Sequence, residues 1–235
     1  MRRRLDEEAK STRADRRRNM LEEGYWYGLP LVLISGGLLG FWFRERSPLL
    51  LVCAFFFLVL AFLVLNFFRD PERSIPTHAQ AIISPADGRI VQVVEESHDG
   101  CPMCRVSIFM SPLDVHVNRA PIAGVIKDVS YRKGAFRVAM EAAASVENEQ
   151  NVFTLEGEQG RIVVKQIAGI LARRIVFWKR PGDSLARGER VGLIKFGSRV
   201  DVLMEPDVTL SIKVGDHVRA GSSILGTSHL RSEIQ

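Results

Sequence analysis

Two uncharged stretches set close together constrain this chain more than any other feature. Residues 25–43 and 48–68 contain no Asp, Glu, Lys or Arg, and only Arg44-Glu45-Arg46-Ser47 lies between them. At about 1.5 Å of rise per residue, helices of these lengths reach roughly 28 and 31 Å, against a hydrocarbon core of about 30 Å. So short a connection turns the second helix back on the first, and the sequence predicts a helical membrane hairpin. Tyr25, Trp26, Tyr27 and Trp42 stand at the edges of the first stretch, where amphipathic rings favour the headgroup region. A removable signal peptide fits poorly, because the basic region before it is long and a second apolar run follows. Gly28, Pro30, Gly36, Gly37 and Gly40 also admit a bent, re-entrant form held in one leaflet.

Charge sets the orientation and excludes one class of partner. Residues 1–24 carry 8 basic side chains, among them Arg2, Arg3, Arg4, Lys10, Arg16, Arg17 and Arg18, against two arginines in the turn. Positive flanks stay on the cytoplasmic side, so the basic segment 1–24 is expected there. Two crossings then return residues 69–235 to the cytoplasmic face of the cell membrane. The net charge is +5, yet residues 69–235 hold 22 basic and 20 acidic side chains, so the large C-terminal part is nearly neutral. That is no nucleic-acid footprint.

Beyond Arg69-Asp70-Pro71-Glu72-Arg73 the pattern changes to short β-type runs punctuated by Gly, Pro and Asp. Strands are predicted over 89–94, 105–110, 114–118, 122–131, 151–155, 161–168, 189–195, 199–204 and 208–212. The alanine-rich stretch 135–148 stands apart as a helix or lid. The expected fold is therefore mainly β, a barrel- or sandwich-like domain at 69–235 behind the N-terminal helical membrane hairpin at 25–68. Gly182-Asp183-Ser184-Leu185-Ala186-Arg187-Gly188 is echoed by Gly215-Asp216-His217-Val218-Arg219-Ala220-Gly221. Such turns occur in lipoyl- and biotinyl-type domains, but Arg199–Asp207 offers no lysine to carry a group, so the repeat reads as architecture.

Taken singly, the chemical candidates are weak. Asp87, in Ser84-Pro85-Ala86-Asp87-Gly88, is first of all a turn residue. In Asp114-Val115-His116-Val117-Asn118, alternation sends His116 to a polar face with Asp114 and Asn118, where a histidine is more often solvated than catalytic. In Phe196-Gly197-Ser198-Arg199, alternation puts Ser198 with Val200, Val202 and Met204 on the apolar face, and Arg199 with Asp201 on the other. Ser198 is then either a hydrogen-bonded turn residue or a shielded nucleophile. Cys101-Pro102-Met103-Cys104 lacks the second ligand pair of a zinc site and the βαβ setting of a redox motif, and reads as two thiols in a loop. No metal site is expected.

In combination these stretches resemble one family, the pyruvoyl-dependent, self-cleaving phosphatidylserine decarboxylases, in their short form. The resemblance runs from about Asn66 to about Gly226. It rests on Phe67-Phe68-Arg69-Asp70-Pro71-Glu72-Arg73, on Ser84-Pro85-Ala86-Asp87-Gly88, on 110–119 (MSPLDVHVNR) and on 192–201 (GLIKFGSRVD). Long members read Leu-Gly-Ser-Thr at the cleavage point where this chain has Phe-Gly-Ser-Arg. Short archaeal members act on archaetidylserine, so a related serine lipid is the alternative substrate.

The resemblance implies a proenzyme cut between Gly197 and Ser198 into chains 1–197 and 198–235, which remain associated as a heterodimer. It implies that Ser198 is the attacking hydroxyl and becomes the pyruvoyl cofactor, that His116 is the base and that Asp87 orients it. The pyruvoyl carbonyl then condenses with the serine amine of a phospholipid substrate in the membrane and serves as electron sink for decarboxylation. A hairpin that confines the domain to the bilayer surface raises the effective substrate concentration. Two competing readings remain at this point: a non-enzymatic membrane-anchored adaptor, motivated by the Gly-Asp repeat, and a serine hydrolase built on the same three residues.

Overall fold

The structure, a computed structural model, describes residues 2–135, 147–169, 174–195 and 198–229, with the backbone alone for residues 2–23. Two compact units divide between Pro71 and Glu72.

The first unit is a helical hairpin of α1 (Arg2–Glu45) and α2 (Pro48–Phe67). Each contains a stretch long and apolar enough to cross a membrane, Gly24–Glu45 at mean hydropathy 1.5 and Pro48–Phe67 at 3.0. The first helix runs through Pro30 and the glycines at 36, 37 and 40 as one continuous helix. It also begins at Arg2, which makes the basic segment continuous with the span. The connection is tighter than the four charged and polar residues suggest. Arg46, at φ 52°, and Ser47 alone separate the helices, and Pro48 opens the second in the position where a missing N–H costs nothing. Small residues let the helices approach. A Cβ on Gly28 would lie 2.7 Å from the Leu65 side chain, and the Ser35 hydroxyl donates to the Ala54 carbonyl at 2.8 Å.

The second unit is built of strands among the described residues: β1 (Ala81–Ile83), β2 (Gly88–His98), β3 (Cys101–Met110), β4 (Val117–Arg119), β5 (Gly124–Arg132), β6 (Gln150–Gly157), β7 (Gly160–Ala168), β8 (Arg174–Phe177), β9 (Ser184–Leu185), β10 (Arg190–Lys195), β11 (Ser198–Met204), β12 (Thr209–Leu210), β13 (His217–Val218) and β14 (Ile224–Thr227). Eight of them form one antiparallel sheet in the order β13-β2-β3-β11-β7-β6-β5-β9, curled into a half-barrel. Two three-stranded sheets, β1-β14-β12 and β4-β10-β8, complete the unit. The mainly β architecture expected from the sequence is the one observed.

Several predicted strands differ in extent, each for a local reason. Asp99 and Gly100, both at positive φ (52° and 79°), make a two-residue hairpin turn. That turn extends β2 and β3 to meet it, and the Cys101–Cys104 segment lies in β3, not in a loop. The strand expected at 114–118 begins only at Val117, because a Ser111–Asp114 turn occupies the residues before it. The strand expected at 208–212 is reduced to Thr209–Leu210, and β1, β8, β9 and β13 were not anticipated. Of the alanine-rich stretch 135–148, residues 136–146 lie outside the described residues.

The repeat caps both edges of the large sheet in the same way. Gly182 N–H donates to the Ile126 carbonyl and Ile126 N–H to Asp183; Gly215 N–H donates to Ile90 and Ile90 N–H to Asp216. Ser184–Leu185 then pairs with the start of β5, and His217–Val218 with the start of β2. Each aspartate also folds its own turn, accepting from the backbone N–H three residues before it. Edge strands invite unwanted pairing, and these two short caps cover both ends of the sheet. The repeat is architectural, as the sequence suggests.

Strand β11 lies in the middle of this sheet, and all seven of its residues are buried. Val200, Val202 and Met204 join the main core with Ile90, Ile108, Phe153 and Val164. The alternate positions Arg199, Asp201 and Leu203 face the other side, where Leu203 packs with Met103 and Val163.

Candidate active site

The N-terminal end of β11 is where the predicted residues gather. Ser198 is fully buried and stands between Met110, the last residue of β3, and Ala168, the last of β7. Its hydroxyl contacts the Met110 thioether at 3.3 Å. Sulfur is a weak acceptor, so the serine proton is held loosely. A chain of amides lines the same place. Asn151 donates to Gln166 at 2.9 Å, Gln166 donates to Asn118 at 2.8 Å, and the Asn118 amide reaches the Met110 sulfur at 3.9 Å. Asn118, Gln166 and Asn151 are all buried. They form a polar lining inside an otherwise apolar core, and none of the three stood out in the sequence beyond the placing of Asn118 beside His116. Gly197 lies outside the described residues.

His116 reaches this end from the loop that leaves β3. The turn before it is tightly built: Asp114 Oδ2 accepts from Ser111 N–H at 2.8 Å, and Leu113 N–H donates to the Ser111 hydroxyl at 3.2 Å. The Asp114 carbonyl then lies 2.9 Å from His116 Nδ1. A carbonyl only accepts, so Nδ1 carries the proton, and in the neutral ring Nε2 keeps the lone pair. The ring is 2% exposed. The solvated, polar-face histidine suggested by alternation is therefore corrected to a buried one, because the residues before Val117 are a turn and do not alternate.

Asp87 sits at the entrance to β2. Gly88 beside it has φ +150°, and a Cβ there would lie 2.2 Å from the Phe109 carbonyl oxygen. The backbone of β2 and that of β3 therefore touch where Asp87 emerges. The Asp87 carboxylate is buried, with Oδ2 2.7 Å from the Arg73 guanidinium and Oδ1 accepting from Ala220 N–H at 2.7 Å. Its partners are thus the linker and the second Gly-Asp turn, and the His116 ring is held by Asp114. Strands β2 and β11 flank β3, which places Asp87 and Ser198 roughly 10 Å apart across it. Arg119 N–H donates to the Pro85 carbonyl at 2.9 Å, tying the strand that follows His116 to the loop that carries Asp87. Asp87 and Ser198 lie at one end of the eight-stranded sheet, His116 leads into β4 of the β4-β10-β8 sheet, and each of the three has its own hydrogen-bond partner.

Cys101 and Cys104 are remote from this end. Three residues apart on a strand, they point to opposite faces, which rules out a shared metal or a disulfide. Burial, with Glu95 beside it, pushes the Cys104 thiol up. No cluster of His, Cys, Asp and Glu able to hold a metal occurs among the described residues.

The sequence model described as Phosphatidylserine decarboxylase matches residues 60–226, a span that contains every element of this site. Among curated proteins, the chain is 51% identical to a phosphatidylserine decarboxylase proenzyme of Solibacter usitatus over 72% of its own length and 80% of the relative's. It is 50% identical to the proenzyme of that name from Salinibacter ruber, over 71% and 76% of the two chains. A longer match, 41% identity over 87% and 94%, is to the proenzyme of Geobacter metallireducens. With that coverage and a site assembled from the same four blocks, the chain belongs to the phosphatidylserine decarboxylase family.

Proposed function

We propose that this chain is a proenzyme that cleaves itself between Gly197 and Ser198 and then decarboxylates phosphatidylserine to phosphatidylethanolamine. Family membership supports the overall reaction, and the relatives it rests on are named proenzymes. The observation that carries the residue assignment is the buried Ser198 hydroxyl at the mouth of a central strand, weakly held by a thioether and lined by amides. His116, with its proton fixed on Nδ1 by Asp114, supplies Nε2 as the base. Asp87 contributes from the opposite flank of β3 as a buried carboxylate that fixes the loop and turn around it.

In the self-cleavage step, His116 takes the Ser198 proton and Oγ attacks the Gly197 carbonyl carbon. The peptide C–N bond breaks and an ester replaces it, with the proton passing to the released nitrogen. β-Elimination then breaks the ester, freeing Gly197 as a carboxylate and leaving dehydroalanine at 198. Water converts this to a pyruvoyl group and releases ammonia. Residue 198 suits such a group, since its side chain is buried and touches the same Met110 sulfur that is reached by the Asn118 amide, a donor toward a carbonyl oxygen. Once formed, the group supplies a ketone that withdraws electrons as the substrate's carboxylate leaves. His116 holds or returns the proton that replaces the carboxylate.

The small chain, residues 198–235, stays docked because β11 is hydrogen-bonded to β3 on one side and β7 on the other. Two helices of membrane-crossing length at the N-terminus suggest membrane association, which brings such a domain to a bilayer lipid. The domain faces the cytoplasm under this reading. A Ser198→Ala variant should remain one full-length chain without decarboxylase activity. Decarboxylation by that variant would refute the mechanism. His116→Ala should slow cleavage sharply; full processing in that variant would remove His116 from the role of base.

A further inference from the structure

Among the described residues, the one after Ser198 has the largest side chain that is fully enclosed. Arg199 is 1% exposed on the face of β11 opposite to Ser198. Its Nε donates to Asp201 Oδ1 at 2.6 Å, and one terminal nitrogen reaches Asp201 Oδ2 at 3.2 Å, Ser107 Oγ at 2.8 Å and Gln92 Oε1 at 3.5 Å. Asp201 also accepts from Arg105 at 3.3 Å, and Arg105 donates to Glu96 at 2.7 Å. Lys165 on β7 closes the network with Glu96 at 3.5 Å. The cluster therefore ties β11 to β2, β3 and β7 along the residues that follow the reacting serine.

Burying two arginines and their carboxylates gains little over apolar packing, because desolvation offsets most of the attraction. Geometry is what such a cluster provides. A one-residue slip of a strand exchanges its two faces and would turn Ser198 away from the amide-lined site. Arg199 cannot follow such a slip, since its planar fork fits Asp201 and Ser107 only on its own side. The need is sharpest after cleavage, when residue 198 becomes a chain end and loses the covalent restraint before it.

We propose that Arg199 is a positioning residue whose fork on Asp201 and Ser107 fixes the rotation of the first residues of β11, keeping residue 198 aimed at the amide-lined site. The proposal rests on the self-cleavage reading above, and the experiment separates the two. Full-length chain is synthesised in a pulse, and its conversion to two chains is followed at a temperature well below every variant's melting point. Arg199→Lys keeps the charge but not the fork, and should cleave more slowly by roughly ten- to a hundred-fold, the order expected for a misplacement of about 1 Å. Glu96→Gln breaks an outer pair of the same network and should lower the melting temperature while cleaving at the wild-type rate. Should Arg199→Lys fail to fold, Asp201→Asn carries the same expectation. Cleavage of Arg199→Lys or Asp201→Asn at the wild-type rate would overturn the clamp and leave self-cleavage intact. Slowing in both the Arg199 and Glu96 variants, in proportion to lost stability, would also overturn it and leave a structural role alone. A wild-type chain that never cleaves would overturn self-cleavage itself and the clamp with it.

Discussion

The pair Arg73–Asp87 joins the linker to the site, and its two members should fail separately but not together. The guanidinium and carboxylate are 2.7 Å apart, with side chains 11% and 9% exposed. Asp87→Asn keeps the acceptor for Ala220 N–H but turns an NH2 toward Arg73, leaving a buried cation without its anion. Arg73→Met leaves the carboxylate with a single N–H donor. Breaking a buried pair on one side costs about 3–5 kcal/mol, and the residual exposure here argues for the lower end, about 3 kcal/mol each. The double variant has no uncompensated charge and retains the Ala220 hydrogen bond, so its cost should fall to about 1 kcal/mol. For a unit of Glu72–Gln235, each kcal/mol moves the melting temperature by roughly 2–4 °C. The single variants should melt about 6–12 °C lower and the double variant only about 2–4 °C lower. The assay is thermal unfolding in one detergent at one scan rate, with Ser198→Ala in every protein so that all remain single chains. If the double variant loses the sum of the two single losses, the pair is not coupled and the reasoning fails.

Three further outcomes are expected. Gly88→Ala forces a Cβ to within 2.2 Å of the Phe109 carbonyl at a φ of +150°, and should cost more than about 3 kcal/mol, visible as lost folded yield or a melting temperature lower by at least about 6 °C; a normal melting curve would contradict it. Cys101 is exposed, whereas the Cys104 thiol is half-buried and pushed up by that burial. Maleimide should therefore label Cys101 first, and mild oxidation should not link the two; a loss of two hydrogens joining their peptides would refute the strand placement. Tyr131, beside the Glu149 carboxylate, is pushed up to about 12 by partial burial and by that neighbour. A raised value favours the neutral phenol in the fold, so its stabilisation is complete below about pH 10 and is lost as pH rises through about 12. The difference in 295 nm absorbance between wild type and Tyr131→Phe should titrate near 12, and a midpoint near 10 would contradict the contact.

The hairpin was legible in the sequence because two uncharged runs of membrane length leave few alternatives. The core strands were legible because alternation at Ser198, Val200, Val202 and Met204 reports a true two-faced strand. Alternation failed at Asp114–His116, where a side-chain-capped turn sets the direction of the histidine and no periodicity exists to be read. The short strands β9 and β13 escaped notice because two residues carry no period, although the glycines and aspartates around them marked their turns. The burial of Arg199 was not foreseen. Charge ordinarily signals solvent, and two of the partners that hold it, Ser107 and Gln92, come from strands that only the folded sheet brings alongside. The Arg73–Asp87 pair was hidden for the same reason. Both members lie in motifs visible in the sequence, but nothing in either motif says that the two meet.

Under this mechanism Ser198 ends as a pyruvoyl group on a separate chain, and the intact mass of detergent-purified wild-type protein reports it. Two chains should part between Gly197 and Ser198, the smaller one lighter by one ammonia than a chain beginning with serine. A folded protein that remains a single chain of 26.3 kDa would contradict it.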